Sequence, residues 1–442
     1  MKTIIIGGVA AGMSAASKLK RLDPNAEIIV YEKGHDLSYG GCGMPYFLGD
    51  IITDEDRLIA RTKAQFEKKG IQVFTGHEVL GVMPDKKTIK IKNIDSQEIL
   101  TDKYDKLVVA TGTKANRTHV PGSDEVDVYV LNQLEDARRI KEAMDGVLEI
   151  AIIGGGYIGL EIAENFAHLG VQVHIVEMAK QLLVVYDKEV AKKAKQTLEN
   201  IGVNIYLNEG LKSYQNKQDR IAVNTNQRTL NVDMVIESIG VKPNTEFIKN
   251  TGIEMLKNGA IVTNDQMETN IKDIYAAGDC VAYNHLITGQ KTFVPLGTHA
   301  NKTGRIIAEN ISGNHKLFKG IIGSNIIKID DYAFAKTGVG MDEAKRLNLN
   351  YDYVDITAKN QSGYYPGAES IFVRLVFDKE TKVIKGAQLY GKKGISDRIN
   401  IMALAILNEV TAENFAQSDF AYAPPFSPVW DPLLIAANQI KE

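Results

Sequence analysis

The chain has 442 residues, of which 44% are hydrophobic and 24% charged, which is enough for two or three domains of ordinary size. A formal net charge of -3 gives no general basic field and argues against nucleic acid or an anionic membrane as a partner. The only cysteines, Cys42 and Cys280, disfavour a disulfide framework and a cysteine-rich metal site, and no metal is expected. The apolar start is too short for a signal peptide and no later run approaches a membrane span, so we expect a cytoplasmic protein.

The amino terminus has the pattern of a dinucleotide-binding βαβ unit. A β-branched run, Thr3–Ile6, precedes a glycine-rich turn, a helical stretch to about Leu22 and a second strand, Glu27–Tyr31. Glu32 stands twenty residues past Gly12, where a carboxylate would accept hydrogen bonds from an adenosine ribose. A valine replaces the middle glycine of the usual triplet, which weakens the motif when it is taken alone. The turn reads Gly7-Gly8-Val9-Ala10-Ala11-Gly12.

A single cysteine follows this unit in a turn with three glycines. Cys42 lies in the run Ser38–Tyr46, where glycines allow the backbone to turn tightly beside a flat ligand. Pro45 suits the first turn of a helix, and a helix that begins here would favour the thiolate of Cys42. A buried structural cysteine is the alternative, and this run alone does not decide between the two.

A buried strand comes next, before a second glycine-rich unit. The run Lys106–Val109 predicts a strand that ends in a turn of small residues, although any parallel core strand could have this sequence. From Leu148 the order of strand, turn, helix, strand and acid repeats, with strands predicted over 149–153 and 171–176. The turn after Lys106–Val109 is Ala110-Thr111-Gly112.

The second unit has every element of the nucleotide-binding pattern. All three glycines are present at Gly154, Gly156 and Gly159, and Glu177 lies eighteen residues past the last of them. A carboxylate at this position suits the 2′-hydroxyl of NADH and repels the 2′-phosphate of NADPH. Two such units in one chain most simply bind two dinucleotides.

The last third of the chain has a different pattern. Residues Asp273–Cys280 predict a strand that ends in a tight turn with Asp279 at its tip, and Cys280 is expected to be a buried packing residue. From about Gly323 alternating strands mix with helices such as Ile395–Leu407, and no nucleotide-binding signal is present. A mixed α/β region of about 120 residues without a site of its own is typical of an oligomerisation domain.

Together these motifs resemble the flavoprotein pyridine-nucleotide disulfide oxidoreductases over essentially the whole chain. Gly7–Glu32 is similar to the family's FAD-binding unit and Gly154–Glu177 to its NADH-binding unit, while Gly278-Asp279 resembles the motif whose aspartate holds the flavin ribityl chain. The resemblance implies FAD and NADH as cofactors, with NADPH the weaker choice. The cofactor-binding residues that it implies are Gly7, Gly8, Ala11, Gly12, Glu32, Lys33, Val79, Ala110, Thr111, Gly112, Gly154, Gly156, Tyr157, Ile158, Gly159, Glu177, Gly240, Gly278, Asp279, Pro295 and Leu296.

The implied fold is α/β, with two Rossmann-like dinucleotide-binding domains and a C-terminal mixed α/β dimerisation domain. Gly240 with Pro243-Asn244 resembles the segment that returns the chain from the NADH-binding domain to the FAD-binding domain. The FAD-binding domain is therefore expected to be discontinuous. The expected domains are 1–115 and 246–322 for FAD binding, 116–245 for NADH binding and 323–442 for dimerisation.

Within the family, the sequence is similar to the branch that has a single redox cysteine. Glutathione-reductase-like members have two cysteines separated by four residues and a C-terminal histidine base. Here no second cysteine lies near Cys42, and no histidine lies beyond His315. The single-cysteine branch contains CoA-disulfide reductases, NADH oxidases and NADH peroxidases. The peroxidases and water-forming oxidases have a histidine in the first glycine loop, where this chain has Ala10.

The C-terminal region resembles the CoA-disulfide reductases. These enzymes use two tyrosines of the partner subunit, and the matching residues are Tyr364 in a Tyr-Tyr-Pro-Gly run and Tyr422 in an Ala-Tyr-Ala-Pro-Pro run. Interface packing is the alternative role for such tyrosines. Some of these reductases have a lysine after the second run, where this chain has Pro428-Val429-Trp430, so a persulfide or polysulfide becomes an alternative substrate. The implied CoA contacts are Ser14, Lys18, Arg21, Ser38 and His299, although the two basic residues could also be solvated surface charges.

The resemblance thus implies a homodimeric, NAD(P)H-dependent reductase of CoA disulfide. Electrons would pass from NADH through FAD to Cys42, which would form a mixed disulfide with CoA. The alternatives are an NADH oxidase or peroxidase, a reductase of CoA persulfide or polysulfide, and a flavoprotein that senses redox state without turnover. The expected partners are a small disulfide or persulfide and a second copy of the chain, with no nucleic acid and no membrane.

Overall fold

A parallel five-stranded sheet forms the centre of the first nucleotide-binding unit in the computed structural model, which describes residues 1–441. Ile4 and Ile5 on its central strand are fully buried, as expected for a sheet that is covered on both faces. Strands far apart in sequence meet here, since one of them comes from a segment near residue 275. In spatial order the strands are Ile274–Ala276, Lys106–Val109, Lys2–Ile6, Glu27–Tyr31 and Gln72–Phe74.

Two long helices, Ala10–Leu22 and Gly297–Ile311, pack against each other beside this sheet. Gly304 permits their close approach, because a Cβ at that position would lie 2.2 Å from the carbonyl oxygen of Ala11. The first helix ends at Leu22, as the sequence predicted. The shorter helical segments of this part of the chain are Gly41–Gly43, Met44–Leu48, Glu55–Leu58, Lys63–Glu67, Pro84–Lys86 and Glu246–Ile248.

The second unit repeats the architecture of the first. Its five strands also pair in parallel, and the predicted strand over 149–153 has those bounds in the structure. In spatial order they are Asn204–Leu207, Gln172–Glu177, Glu149–Ile153, Met234–Glu237 and Val128–Tyr129. The helices of this unit are Leu134–Ala143, Tyr157–His168 and Lys188–Asn200.

Smaller sheets lie beside the two units and connect them. The segments Thr113–Ala115 and Val241–Pro243, which join one unit to the other, pair in an antiparallel manner. The remaining small sheets consist of His77–Met83, Thr88–Asn93 and Ile99–Lys103; of Leu211–Lys217, Arg220–Thr225 and Thr229–Val232; and of Ile261–Val262, Val281–Asn284 and Lys291–Thr292.

The C-terminal part is an antiparallel sheet with helices, as its alternating pattern predicted. The helix Ile395–Leu407 has the predicted bounds, and its Ile399 and Met402 are buried against the sheet. In spatial order the strands are Asn325–Ile329, Tyr332–Gly338, Ile384–Gly391, Ser370–Asp378 and Tyr351–Lys359. The other helices are Met341–Arg346, Ala412–Ala416 and Pro432–Asn438.

An ion cluster around the buried Arg374 fixes the C-terminal sheet to the second unit. The Arg374 guanidinium is 3.0 Å from the Asp187 carboxylate and 2.7 Å from that of Asp355. Asp187 precedes a helix of the second unit, whereas the other two residues lie on C-terminal strands. Because a buried charge is stable only when it is paired, this cluster constrains how the two parts meet.

Within residues 1–441, no helix is long and apolar enough to span a membrane.

Candidate active site

A cavity of about 1680 Å³ joins the two nucleotide-binding units to the cysteine turn. Its walls include both glycine turns, at Gly7 and Gly156, and the residues Cys42 and Asp279. The two predicted dinucleotide sites and the thiol therefore share one space. The predicted cofactor-binding residues that line it are Gly7, Ala11, Glu32, Lys33, Val79, Ala110, Thr111, Gly112, Gly156, Tyr157, Ile158, Gly240, Gly278, Asp279, Pro295 and Leu296.

The other predicted cofactor-binding residues shape the turns from behind the cavity wall. Gly12 and Gly159 let each helix pack closely on its glycine turn. A Cβ on Gly12 would lie 1.9 Å from the Gly7 carbonyl oxygen, and a Cβ on Gly159 would lie 2.5 Å from the Gly154 carbonyl oxygen. Gly154 has a φ of +113°, close to the +107° of Gly7. A side chain at these positions would force the strand, turn and helix apart. The residues in this group are Gly8, Gly12, Gly154, Gly159 and Glu177.

The two turns differ at their middle position. A Cβ on Gly156 would meet no atom within 4 Å, so this glycine leaves open space above the start of the helix Tyr157–His168. Val9 occupies the corresponding position of the first turn and itself lines the cavity. The second turn thus offers its backbone directly to a pyrophosphate group, whereas in the first turn the ligand must pass a valine side chain.

Both ribose-binding candidates are held by backbone amides. Glu32 accepts hydrogen bonds from the Gly8 amide at 2.6 Å and the Gly34 amide at 2.8 Å. Glu177 accepts from the Gly155 amide at 2.7 Å and from the amide two residues beyond itself at 2.6 Å. Each carboxylate is therefore fixed at the mouth of its glycine turn and keeps further acceptor capacity for a ribose hydroxyl.

Asp279 provides a direct test of whether the first site fits FAD. Its Oδ1 atom is buried and has no hydrogen-bond partner, and burial raises the pKa of Asp279 to about 6. A hydroxyl-rich chain such as the flavin ribityl group would donate the missing hydrogen bond. Gly278 lets this turn pack closely on the first helix, because a Cβ there would lie 2.9 Å from the Ala11 Cβ. The residues present fit FAD.

Cys42 is exposed on the cavity surface, so a buried structural role is excluded for this thiol. It lies in the short helical turn Gly41–Gly43, and the five-residue helix Met44–Leu48 follows it. The predicted helix is present after Cys42, but in the protein chain the groups that oppose a thiolate outweigh those that favour it. The cavity walls enclose part of the sulfur, and this partial burial raises the pKa of Cys42, with further increases from Glu161 and Asp279.

Cys280 is a buried packing residue, as predicted. Its side chain is 0% exposed, and its sulfur lies 3.3 Å from the carbonyl oxygen of Ala277. Burial raises the pKa of Cys280 to about 11. An inaccessible thiol of this kind cannot act as the resolving partner of Cys42, and both cysteines are free.

Glu161 is a site residue that the sequence analysis did not identify. It lies one turn into the helix Tyr157–His168 and lines the cavity with Cys42. Its spacing of four residues from Tyr157, which also lines the cavity, places both side chains on one face of the helix. That spacing is the signal from which it could have been found.

Tyr364 and Tyr422 lie outside the cavity lining and close to each other. Their side chains are 77% and 46% exposed, and their hydroxyl oxygens are 3.2 Å apart. This shared hydrogen bond lowers the pKa of Tyr364 and raises that of Tyr422. The chain therefore places both hydroxyls at its own surface, together with the exposed apolar side chains Phe426, Val429 and Trp430.

The predicted CoA contacts lie outside the lining of the cavity, and all of them except Ser38 lie on the packed helix pair. The Ser14 hydroxyl donates a hydrogen bond to Asn301 at 2.8 Å, and the Lys18 ammonium is 2.7 Å from the Glu309 carboxylate. His299 is buried beneath this surface, with its ring 5.4 Å from that of Tyr283. The remaining two are Arg21, which is exposed, and Ser38, which has a φ of +47°.

The chain is similar in sequence to several known proteins. Residues 1–304 match the Pyridine nucleotide-disulphide oxidoreductase family, and residues 325–432 match its dimerisation domain. The chain is 33% identical to a Coenzyme A disulfide reductase of Staphylococcus epidermidis over 430 residues, which are 96% of each chain. The dimerisation domain indicates a homodimer.

Two solved structures are also similar. One is an NAD-dependent persulfide reductase from A. fulgidus, with a TM-score of 0.96, 35% identity and coverage of 99% of this chain and 82% of that one. The other is a water-forming NADH oxidase from Lactobacillus brevis bound to NADH, with a TM-score of 0.97, 29% identity and coverage of 99% and 98%. The chain therefore belongs to the pyridine nucleotide-disulphide oxidoreductase family, whose members are flavoprotein enzymes that bind FAD and NAD(P)H.

Proposed function

We propose that the protein is an NADH- and FAD-dependent reductase of CoA disulfide that works through a Cys42–S–S–CoA mixed disulfide. The observation that carries this proposal is the accessible thiol of Cys42 in the cavity shared by both nucleotide turns, with the only other cysteine sealed in the core. With no second protein thiol available, the substrate must supply the second sulfur of any disulfide formed at Cys42. The name of the Staphylococcus epidermidis relative supports CoA as that substrate.

The cofactors are assigned to the two turns by their chemistry. Gly7, Glu32 and Asp279 would hold FAD, and Gly156 and Glu177 would hold NADH. When bound, FAD supplies the transfer of two electrons from NADH to a disulfide sulfur. The proposed domains are 1–115 with 246–322 for FAD binding, 116–245 for NADH binding and 323–442 for dimerisation.

Cys42 alternates between a thiolate and the mixed disulfide in this mechanism. The thiolate attacks CoA disulfide, a Cys42–S–S–CoA bond forms, and the first CoA leaves and takes up a proton. Two electrons then break the mixed disulfide, which releases the second CoA and restores the Cys42 thiolate. The balance is one NADH, one proton and one CoA disulfide converted to NAD⁺ and two CoA thiols.

Tyr364 and Tyr422 of the partner subunit are proposed to orient or protonate the leaving thiolate. Their exposure, their shared hydrogen bond and their position outside the lining of the Cys42 cavity support a role across the dimer. The proposed CoA-binding residues of the cysteine-bearing chain are Ser14, Lys18, Arg21, Ser38 and His299.

A persulfide reductase is the second candidate. The run Pro428-Val429-Trp430, in which Trp430 is 58% exposed, contains no lysine, whereas some CoA-disulfide reductases have one after the Ala-Pro-Pro run, and its loss would weaken a charge contact with CoA. The name of the A. fulgidus neighbour supports this alternative. An oxidase or peroxidase is less favoured, since Ala10 occupies the position of the histidine that those enzymes have beside the cysteine.

Anaerobic turnover with CoA disulfide tests the proposal. NADH consumption is followed by absorbance and CoA thiol is counted in the same sample, with two thiols expected for each NADH. CoA persulfide, polysulfide, oxygen and hydrogen peroxide serve as competing acceptors. The proposal is wrong if CoA disulfide is not reduced, or if kcat/KM for another acceptor exceeds that for CoA disulfide by tenfold or more.

A further inference from the structure

Tyr364 and Tyr422 lie on two loops of the C-terminal part whose bases are buried. The first loop, residues 360–369, connects two neighbouring strands of the antiparallel sheet, and its first residue is 4% exposed. The second loop, residues 421–431, leads into the last helix, and its final residue is 5% exposed. The two tyrosine side chains are exposed. Each loop therefore presents its tyrosine from an anchored base.

A single arginine connects the two bases. The Arg398 guanidinium donates a hydrogen bond to the backbone oxygen of Asn360 at 3.0 Å, and it contacts the Asp431 carboxylate through Nη2 at 2.7 Å and Nε at 3.0 Å. Arg398 is 6% exposed and lies on the helix Ile395–Leu407. Gly394 leaves room for it, because a Cβ there would lie 2.2 Å from the arginine Nη1. Since the donors of a planar guanidinium point in fixed directions, this side chain sets the distance between the two bases.

The Asp431 carboxylate also fixes the turn that carries the second tyrosine. Besides the arginine, it accepts hydrogen bonds from the Leu433 amide at 2.9 Å and from the Ser427 hydroxyl at 3.2 Å. Ser427 closes the turn, since its amide donates to the Ala423 carbonyl oxygen at 3.1 Å. The hydrogen bonds that begin at the arginine therefore end at the residue next to Tyr422.

The two loops also contact each other directly. The Ser362 amide donates to the Pro424 carbonyl oxygen at 3.2 Å, and the hydroxyl oxygens of Tyr364 and Tyr422 are 3.2 Å apart. A hydrogen bond between exposed hydroxyls constrains their geometry weakly, because water competes for each donor and acceptor. The buried arginine and aspartate therefore supply the rigid part of this arrangement.

We propose that Arg398 and Asp431 are positioning residues that hold Tyr364 and Tyr422 as one unit for the reaction at Cys42 of the partner subunit. This inference rests on the proposed function, in which both tyrosines act on the leaving thiolate. A displacement of about 1 Å in a reacting group can lower a rate by about 10²-fold. The ion pair acts through the tyrosines, by fixing the loops from which they reach across the dimer.

A double-mutant cycle tests this inference. Arg398→Lys keeps the positive charge and removes the planar fork that joins the two bases. Its effect on kcat for CoA disulfide is measured in the native protein and in the Tyr364→Phe/Tyr422→Phe background, with single turnovers where the rates are low. Arg374→Lys is the matched control, because Arg374 is 3% exposed and its ion-pair partners lie outside both loops.

The expected signature is a loss of rate that depends on the tyrosines. Arg398→Lys should lower kcat by about fivefold to 10²-fold in the native protein, and by less than about twofold when both tyrosines are phenylalanine. Arg374→Lys should change kcat by the same factor in both backgrounds, because a general effect on the fold does not depend on the tyrosines. The FAD content and the dimer mass of Arg398→Lys should match those of the wild type.

Hydrogen exchange gives a readout without turnover. In Arg398→Lys, peptides that cover residues 360–369 and 421–431 should exchange faster than in the wild type, whereas peptides within the strand Ser370–Asp378 should not. If Arg398→Lys is not recovered as a folded dimer, Ser427→Ala removes one hydrogen bond to the aspartate and is put through the same cycle, with a smaller loss of rate expected.

Equal losses of rate in the two backgrounds, no loss in the native protein, or unchanged exchange in both loops overturns the inference. Failure of the proposed function gives a different result, which is read from other variants. In that case Tyr364→Phe/Tyr422→Phe would reduce CoA disulfide as fast as the wild type, or Cys42→Ser would remain active, and the inference would fall with the function.

Discussion

Glu32 and Glu177 are held by the same pair of backbone hydrogen bonds in the two nucleotide-binding units. Glu32 accepts a hydrogen bond from the amide of the second residue of its glycine turn at 2.6 Å and one from the amide two residues beyond itself at 2.8 Å. For Glu177 the two corresponding distances are 2.7 Å and 2.6 Å. The two acids are nevertheless predicted to serve different cofactors, and this equivalence makes each a control for the other.

Glu177 should set the preference for NADH. Its fixed carboxylate repels a 2′-phosphate and accepts from a 2′-hydroxyl, so we expect kcat/KM for NADH to exceed that for NADPH by at least about tenfold. Glu177→Ala should remove most of this preference, whereas Glu32→Ala should reduce FAD retention and leave the preference intact. Equal kcat/KM values in the wild type would show that a nearby cation such as Lys180 compensates.

Asp279 should oppose folding of the cofactor-free chain and favour FAD binding. Its pKa of about 6 lies above the usual 3.8, so the charged carboxylate lowers the free energy of unfolding. This loss of stability begins near pH 4 and is complete above pH 6. At pH 7, Asp279→Asn should relieve on the order of 1–2 kcal/mol and raise the Tm of the apoprotein by about 1–2 °C. The same variant should bind FAD at least about tenfold more weakly.

Thermal unfolding and flavin titration of the same preparations check this pair of opposite effects. The gain in Tm should vanish below about pH 4, where Asp279 is protonated in both the folded and the unfolded chain. A variant that is less stable without FAD, or that binds FAD as tightly as the wild type, contradicts the assignment of the unpaired oxygen to a flavin hydroxyl.

The sequence predicted local structure well because the patterns that determine it are local. The helix Ile395–Leu407 has a continuous apolar face, and the strand Glu149–Ile153 is a short β-branched run followed by glycine. Both have the predicted bounds. The family, its fold and its two nucleotide units could also be predicted from motif order, since each glycine turn lies between a strand and a helix.

The electrostatics of the site could not be predicted from the sequence. The raised pKa of Cys42 arises from cavity walls and from Glu161 and Asp279, which are more than a hundred residues away in sequence. The short helix after Cys42 was predicted, but its effect on the thiol depends on these distant acids. The contact between Tyr364 and Tyr422, which are 58 residues apart, likewise arises only from the folding of the C-terminal sheet.

Cys42→Ser should separate cofactor binding from disulfide reduction. Because the thiol takes part only in the reaction with the disulfide, the variant should still bind FAD and NADH normally. It should no longer reduce CoA disulfide. The matched control is Cys280→Ala, whose sulfur is buried, and its kcat should stay within a few-fold of wild type. Stopped-flow reduction by NADH, followed by addition of CoA disulfide, distinguishes the two steps.

Subunit exchange should reveal an active site built from two chains. Cys42→Ser and the double variant Tyr364→Phe/Tyr422→Phe should each be poorly active, but a heterodimer of the two contains one native site. Mixing should restore up to about half the wild-type activity per heterodimer, well above the parents if the tyrosines contribute about 10²–10⁴-fold. If exchange is demonstrated and activity does not return, the tyrosines act within their own chain or only pack.

The mass of the Cys42 peptide after reaction with CoA disulfide tests the central claim most directly. The dithiothreitol-reduced, desalted enzyme is mixed anaerobically with one equivalent of CoA disulfide, digested without reductant and compared with a sample to which NADH was then added. The account predicts one CoA on Cys42, one free CoA released as it forms, and loss of the adduct with release of a second CoA after NADH. A Cys42 peptide that remains unmodified, or that carries only sulfenic or sulfinic acid, would contradict it.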